Sequence, residues 1–315
     1  MSLSTLAHDQ APDPGQRPAG PGTVRPAPPH AGTPRSGEHA RPRSGAAARL
    51  RASLSPTVVL SVLVLLIALL WALLPGLFAS YAPTSSVGAS LQAPSAAHWF
   101  GTDATGRDVF SRVVHGASHS IAAALVAVSV GLVVGTTLGV VAGSVGGIVE
   151  DALMRVVDVL LAIPGLLLSL SVVILLGFGT TNAAIAVGIT SIATFARLSR
   201  SRVLEVRRSE YVEAAFGSGG TLPAILWRHI LPNSAAPVIA LAALQLGSAI
   251  LQISTLGFLG YGAPPPTPEW GLLIAEGRDY VATAWWLTLL PGLVVAAVVL
   301  STNRLSSAIG KAESA

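Results

Sequence analysis

The chain reads as an all-α integral membrane protein that crosses the bilayer about six times. Three observations predict this. Only 11% of its 315 residues are charged, where a soluble domain carries about 25%. Its apolar residues fall in unbroken runs of span length and not in alternation, with a mean hydropathy of +0.65. Its arginines gather at the ends of those runs, as a topology signal does. The same placement argues against nucleic acid as the reason for the net charge of +4. There is no cysteine, which excludes disulfides and thiolate metal sites.

Residues Met1 to Pro56 are rich in Pro, Gly, Ala, Ser and Arg, with few large apolar side chains. Such a segment cannot bury enough surface to offset its ordering entropy, so a disordered tail is expected over 1–56. Six apolar runs follow: Thr57 to Ala79, Ser118 to Gly143, Asp151 to Gly177, Ala183 to Ala196, Ser234 to Leu256 and Ala284 to Ser301. At about 1.5 Å per residue most are long enough to cross the hydrocarbon core, and the fourth is the shortest. They define a six-span domain over 57–303, with a short C-terminal tail over 304–315.

Charge orients these spans. The tail carries seven arginines against Asp9, Asp13 and Glu38. The stretch after the fourth run carries Arg197, Arg200, Arg202, Arg207, Arg208 and Arg228 against three glutamates, and Arg304 and Lys311 follow the last run. Six crossings put all three basic segments on one side, which the positive-inside rule makes the cytoplasm. Both termini are therefore expected to be cytoplasmic.

Residues 213–232 read EAAFGSGGTLPAILWRHILP. The pattern predicts one helix over about Val203 to Phe216, a glycine break at Gly217 to Gly220, and a second helix with Thr221 as its cap and Pro223 in its first turn. Leu222, Ile225, Leu226 and Ile230 share a face at helical spacing. Two readings fit: a hairpin lying on lipid headgroups, or a docking element that offers Glu213 and the small Ala214 and Ala215 to a cytoplasmic partner.

Between the first two runs lies FGTDATGRDVFSRVVHGA, residues 100–117. Asp108 and Arg112 are four apart, and Phe110, Val113 and Val114 make an apolar face, which predicts a short interfacial helix; the plainer reading is a helix that only anchors the first loop by ion pairs, such as Asp108 with Arg112. The third run carries Asp151, Arg155 and Asp158 on one helix face, expected as a charge ladder near the membrane surface, with a kink at Pro164. Pro264, Pro265, Pro266 and Pro268 predict a stiff, extended segment before the last run.

These motifs carry a resemblance. Glu213, Ala214, Ala215 and Gly219, closing on Leu231 and Pro232, resemble the EAA signature of ABC-importer permease subunits; here Phe216-Gly217-Ser218 replaces the commoner larger aliphatic residues before Gly219. Gly101, Thr102, Asp103, Gly106, Arg107, Asp108, Ser111, Arg112 and Gly116 resemble the GTD-x-x-GRD-x-x-SR segment of the dipeptide, oligopeptide and nickel permeases. The Asp-x-x-x-Arg-x-x-Asp run before Pro164 is similar to theirs, as are Leu259, Gly260, Gly262, Pro265, Pro266, Pro268, Trp270 and Gly271. The resemblance covers about Phe100 to Asn303.

It implies a type I ABC-importer permease fold. It also implies a heterodimer with a second homologous permease, one or two kinds of cytoplasmic ATPase holding ATP and Mg, and an extracytoplasmic substrate-binding protein. The EAA loop would be the coupling helix seated in the ATPase, and the binding protein would meet the outer loops near 100–117 and 263–270. Di- or oligopeptides are the expected cargo, with nickel as the alternative within the family. The contrasting class is an ion-coupled transporter relying on Asp158 as an intramembrane charge.

The chain itself is not expected to bind a cofactor or catalyse a reaction. Its only lysine, Lys311, is followed by Ala312, so the Gly-Lys-Ser/Thr of a phosphate-binding loop is missing. His115 and His119 are four apart, yet neither carboxylate nor cysteine joins them at helical spacing, so no metal site is expected.

Overall fold

The computed structural model describes residues 55–313, with side chains to 308. Nearly all of the tail expected over 1–56 lies outside the described residues. The elements are α1 (Pro56–Leu73), α2 (Val109–Val145), α3 (Gly147–Ala162), α4 (Gly165–Leu176), α5 (Thr180–Arg207), α6 (Glu210–Gly217), α7 (Leu222–Ile225), α8 (Leu231–Phe258), α9 (Trp270–Gly277) and α10 (Trp286–Glu313). A π-helical turn, Leu226–Ile230, joins α7 to α8 without a break.

Among the described residues five helices are long and apolar enough to cross a membrane, and six if the bent pair α3–α4 counts as one. That pair turns by 98°, because the ring of Pro164 cannot continue a helix and the residue before it is pushed to extended geometry. Ile163 is indeed extended, at φ −88° and ψ 131°. The kink expected at Pro164 is thus close to a right angle.

Several boundaries differ from the sequence reading. No separate interfacial helix precedes the second span; its residues form the first turns of α2. The fourth span, expected to be the shortest, runs for 28 residues to Arg207. α10 continues past Asn303 to Glu313, through the residues assigned to a tail.

α2 and α5 make the most extensive helix pairing in the bundle. Lipid tails are as apolar as leucine, so membrane helices associate through close packing more than through burial from water. Gly131, Gly135, Gly139 and Gly143 recur every four residues on α2 and so line one face. A methyl at Gly135 would lie 2.5 Å from the Ile192 carbonyl, and one at Gly139 would run into that of Ala196. The two backbones touch. Around this pair α8 and α10 complete the core, which includes Ala127, Phe195, Ile250, Ile253 and Trp270. α1, α3 and α4 leave most of their large apolar side chains exposed, among them Leu63, Val159 and Leu175.

Candidate functional site

The chemistry-bearing residues gather at opposite ends of α2. Residues 74–108 and α9 form a cap over its N-terminal end, while residues 208–230 form a hairpin beyond its C-terminal end.

The hairpin begins where α5 stops. The Arg207 guanidinium donates to the carbonyls of Gly143 (3.3 Å) and Ser144 (2.9 Å), satisfying acceptors that the last turn of α2 leaves open. The helix expected over 203–216 is therefore two helices. α5 ends at Arg207, Ser209 is extended, and α6 starts afresh at Glu210. Gly219 then ends α6 at a φ of +86°. The Gly220 N–H donates to the Ala215 carbonyl (3.1 Å) and the Gly219 N–H to that of Phe216 (3.0 Å). These are the paired bonds of a Schellman cap, in which the residue at Gly219 must be left-handed. Thr221 has the extended backbone of a cap, but its side chain makes no capping bond.

A small core holds the hairpin. Val212, Ile225 and Ile230 are buried with Val203 of α5, and Val140, Val206, Ala215 and Leu226 pack around them. Glu213, Ala214, Gly219 and Pro232 are exposed, while Ala215 and Leu231 are half-buried. Leu231 and Pro232 do not close the loop, since they form the first turn of α8, continuous with the π turn. Pro232 has no N–H to donate, and the Asn233 side chain donates to the His229 carbonyl one turn back (2.6 Å). Trp227 is 74% exposed and Tyr211 47%, and neither was singled out from the sequence. An exposed aromatic within a helical repeat of apolar residues was the available signal.

At the other end, the 100–112 motif builds the cap. Thr102 is buried; its hydroxyl donates to the Ala89 carbonyl (2.6 Å) and accepts from the Gln92 N–H (2.9 Å). Asp103 accepts from the backbone and hydroxyl of Thr105 (both 2.8 Å), the backbone and Nε of Arg107 (3.0 and 2.6 Å) and Arg112 (2.8 Å). Burial pushes the Asp103 carboxyl up, but the bonds from Arg107 and Thr105 outweigh it and leave it below the ordinary carboxylate value. Gly101 and Gly106 stand at φ +72° and +78°. A methyl on Gly106 would strike the Gly88 carbonyl.

The ion pair expected between Asp108 and Arg112 does not form. Asp108 caps α2, accepting from the Ser111 N–H (2.7 Å), and its other oxygen meets His98 Nδ1 at 2.9 Å. Its acceptors are taken. Arg112 instead bridges Asp103 and Glu276 of α9 (2.5 Å). Arg107 lies 3.5 Å from the same Glu276. These groups line a cavity of about 290 Å³ with Asp279 and Tyr280 at its edge.

The third-span ladder is not made either. Asp151 and Arg155 are exposed, and Asp158 reaches across to Arg197 of α5. Beside it, Glu150 accepts from Arg200 Nε at 2.6 Å. Of the ladder carboxylates only Asp158 is thus taken by an arginine of the neighbouring helix, while Asp151 points to the exposed surface without a partner among the described ion pairs. The proline segment is not extended, because the Thr267 N–H donates to the Pro264 carbonyl (3.2 Å) and turns the chain. That turn delivers Trp270 to the core, where its Nε1 donates to the Val113 carbonyl (3.0 Å) and its backbone N–H to Ser120 (3.1 Å). Among the described residues no group of three His, Asp or Glu could hold a metal ion.

A right-angled break, a backbone-packed helix pair, a hairpin and a charge-locked cap define a multi-span helical-bundle membrane protein. The family model described as "Binding-protein-dependent transport system inner membrane component" matches residues 135–313. A dipeptide transport system permease protein of Alkalihalophilus pseudofirmus is 41% identical over 230 residues, 73% of this chain and 75% of that protein. A probable D,D-dipeptide transport system permease protein of Escherichia coli is 40% identical over 256 residues, 81% and 86% of the two chains. A glutathione transport system permease protein of Shigella flexneri is 44% identical over 216 residues, 69% and 71%. Among solved structures, a chain of the inward-facing MetNI methionine ABC transporter superposes with a TM-score of 0.51 at 19% identity, over 63% of this chain and 96% of that one.

The chain therefore belongs to the family of binding-protein-dependent transport system inner membrane components. It is a multi-span permease of the ABC-importer type, with the type I fold expected from its motifs.

Proposed function

We propose that this permease moves di- or oligopeptides inward by alternating access, paired with a second homologous permease and driven by one or two kinds of ATPase on the hairpin side. The observation that carries the coupling reading is the hairpin. Its aliphatic residues Val212, Ile225 and Ile230 are buried in a core of its own, while Glu213, Ala214, Phe216 and Trp227 are exposed. A headgroup-lying hairpin would turn its apolar stripe outward. Ala214 permits close approach, Glu213 supplies charge, and Trp227 is the kind of side chain that anchors an interface. The hairpin side is then the cytoplasm, with both termini there, as the arginine distribution supports.

Motion received by the hairpin has a rigid path inward. α6 hangs from α5, α7 runs without a break into α8, and Arg207 ties the junction to α2. ATP and Mg act on the partner subunits, so the chemistry lies outside this chain. Asp151 and Arg155, free of partners among the described ion pairs, and the exposed apolar faces of α3 and α4 face lipid or the second permease. For the binding protein, the two outer motif stretches offer Ala104, Thr105 and Pro264 to Pro266, since most of their other residues are buried.

The names of the relatives favour peptide over nickel, and Asp158, paired with Arg197 and exposed, lacks the isolation of an ion-coupling carboxylate. Purification from native membrane in mild detergent should yield a second permease and an ATPase, and the reconstituted assembly should take up labelled dipeptide when given ATP and a binding protein. Nickel uptake in place of dipeptide, or uptake driven by an ion gradient without the ATPase, would overturn the reading.

A further inference from the structure

The buried acidic group at the start of α9 has no role in anything above. Glu269 is fully buried, and its Oε1 accepts from the Gly271 N–H at 3.0 Å. Its Oε2 has no hydrogen-bond partner among the described residues. That oxygen is wedged against the α-carbons of two glycines. A methyl added at Gly257 of α8 would collide with it, and one at Gly262 would lie 2.7 Å away. The carboxyl therefore fills the seam between α8 and α9, where any larger residue would expel it.

No cation answers it. α8 carries no ionisable side chain. On α2, Arg112 is committed to Asp103 and Glu276, His115 Nδ1 meets the Ser111 carbonyl at 2.8 Å, and His119 is exposed beside Ser118. On α9 and just after it, Glu276 is held by Arg112, while Arg278 and Asp279 pair with each other in solvent. Arg304 of α10 donates to Thr57 of α1. In the connecting segment the one titratable residue is Tyr261. An isolated carboxylate in such a place is far costlier than the neutral acid.

We propose that Glu269 is a proton-binding site: it carries a proton while α9 lies against α8, and gives it up to water when that seam opens. The O–H bond breaks, the proton passes to solvent, and the carboxylate left behind is hydrated. Closure of the seam takes the proton back. Acid then favours the closed seam and alkali the open one. Burial raises the Glu269 carboxyl to about 7 from an ordinary 4.5, against the lowering pull of the Gly271 and Leu272 backbone N–H groups. The switch falls in the range that an outer compartment experiences.

The test is infrared difference spectroscopy of the intact importer in lipid, between about pH 6 and about pH 8, a window in which carboxyls of ordinary affinity stay ionised. The wild-type spectrum should show a protonated carboxyl band at the lower pH that fades with a midpoint near 7, and E269Q should lack it. Absence of the band in wild type overturns the proposal, as does its survival in E269Q. Should E269Q not assemble, Glu269→Asp keeps the acid in altered surroundings and should move the band, and a band left unmoved rejects the assignment.

Discussion

The cap and the hairpin stand at opposite ends of α2 and are built on contrary principles. In the cap, Thr102, Asp103, Asp108 and Arg112 are buried and bonded to one another or to backbone, and glycines hold turns that no side chain would fit. In the hairpin, three buried aliphatic residues pack with Val203 of α5 to hold two short helices together, and nearly everything else faces outward. A cluster of paired, dry charges has essentially one good arrangement, because each partner moved leaves another unpaired. A four-residue apolar core tolerates tilting and sliding. The motif in the cap therefore specifies shape, and the motif in the hairpin specifies a surface.

Substitutions can sharpen or break that contrast. The largest expected effect is at Arg112. R112A removes the buried cation that bridges Asp103 and Glu276 and leaves only Arg107 to face both, a loss of about 2–3 kcal/mol, toward the lower end for a broken buried pair; thermal unfolding in detergent should show it, and an unchanged midpoint would mean the cap is not locked by charge. Next is Gly219. A valine there cannot adopt the left-handed geometry of the cap without strain of about 1–3 kcal/mol, so G219V should abolish peptide uptake while membrane insertion, read by fractionation, is retained. A bulky or reversed charge at Glu213 should act in the same way.

W227A should weaken ATPase association by about tenfold or more, as loss of a central aromatic anchor does, measured by co-purification; unaltered capture of the ATPase would remove Trp227 from the interface. Asp103 supplies the pH test of the cap. Its folded affinity for protons is lowered, so its contribution is present above the ordinary value of 3.8 and lost as the pH falls through the lower folded value. D103N should therefore be less stable than wild type at neutral pH and draw level with it in strong acid. The smallest effect is expected from exchanging Arg197 and Asp158. This exposed pair contributes roughly 0–1 kcal/mol, so the double swap should restore whatever either single reversal loses in uptake.

Much of the fold was legible because lipid leaves so few options. A helix is the only unclosed structure that satisfies its own backbone there, so each apolar run declared a span. The bend at Pro164 followed from the missing N–H. Element ends were less legible. α2 starts at Val109 because Asp108 caps it, whereas spacing alone pairs that carboxylate with Arg112 at i+4. A sequence shows neighbours along a helix, whereas Glu276, the partner actually used, is 164 positions away. The Gly219 turn and the buried stripe Ile225 and Ile230 could be read directly, since both are local. The four glycines on α2 were equally visible in the sequence, but only the position of α5 gives them meaning. Trp227 was obscured by the apolar residues around it.

The touching backbones of α2 and α5 have a mechanical consequence. Helices separated by a layer of side chains can slip, since rotamers rearrange as the axes shift, but here no such layer intervenes at Gly135 and Gly139. The pair forms a strut along which α5 runs for about 42 Å of the roughly 55 Å of α2, from 28 and 37 residues at about 1.5 Å each. One end of the strut bears Arg207 and the hairpin, and the other bears Arg112 and the cap. Slip along this pair is therefore disfavoured, and the compliance needed for the bundle to change shape is left to the joint at Pro164 and to the seams outside the strut.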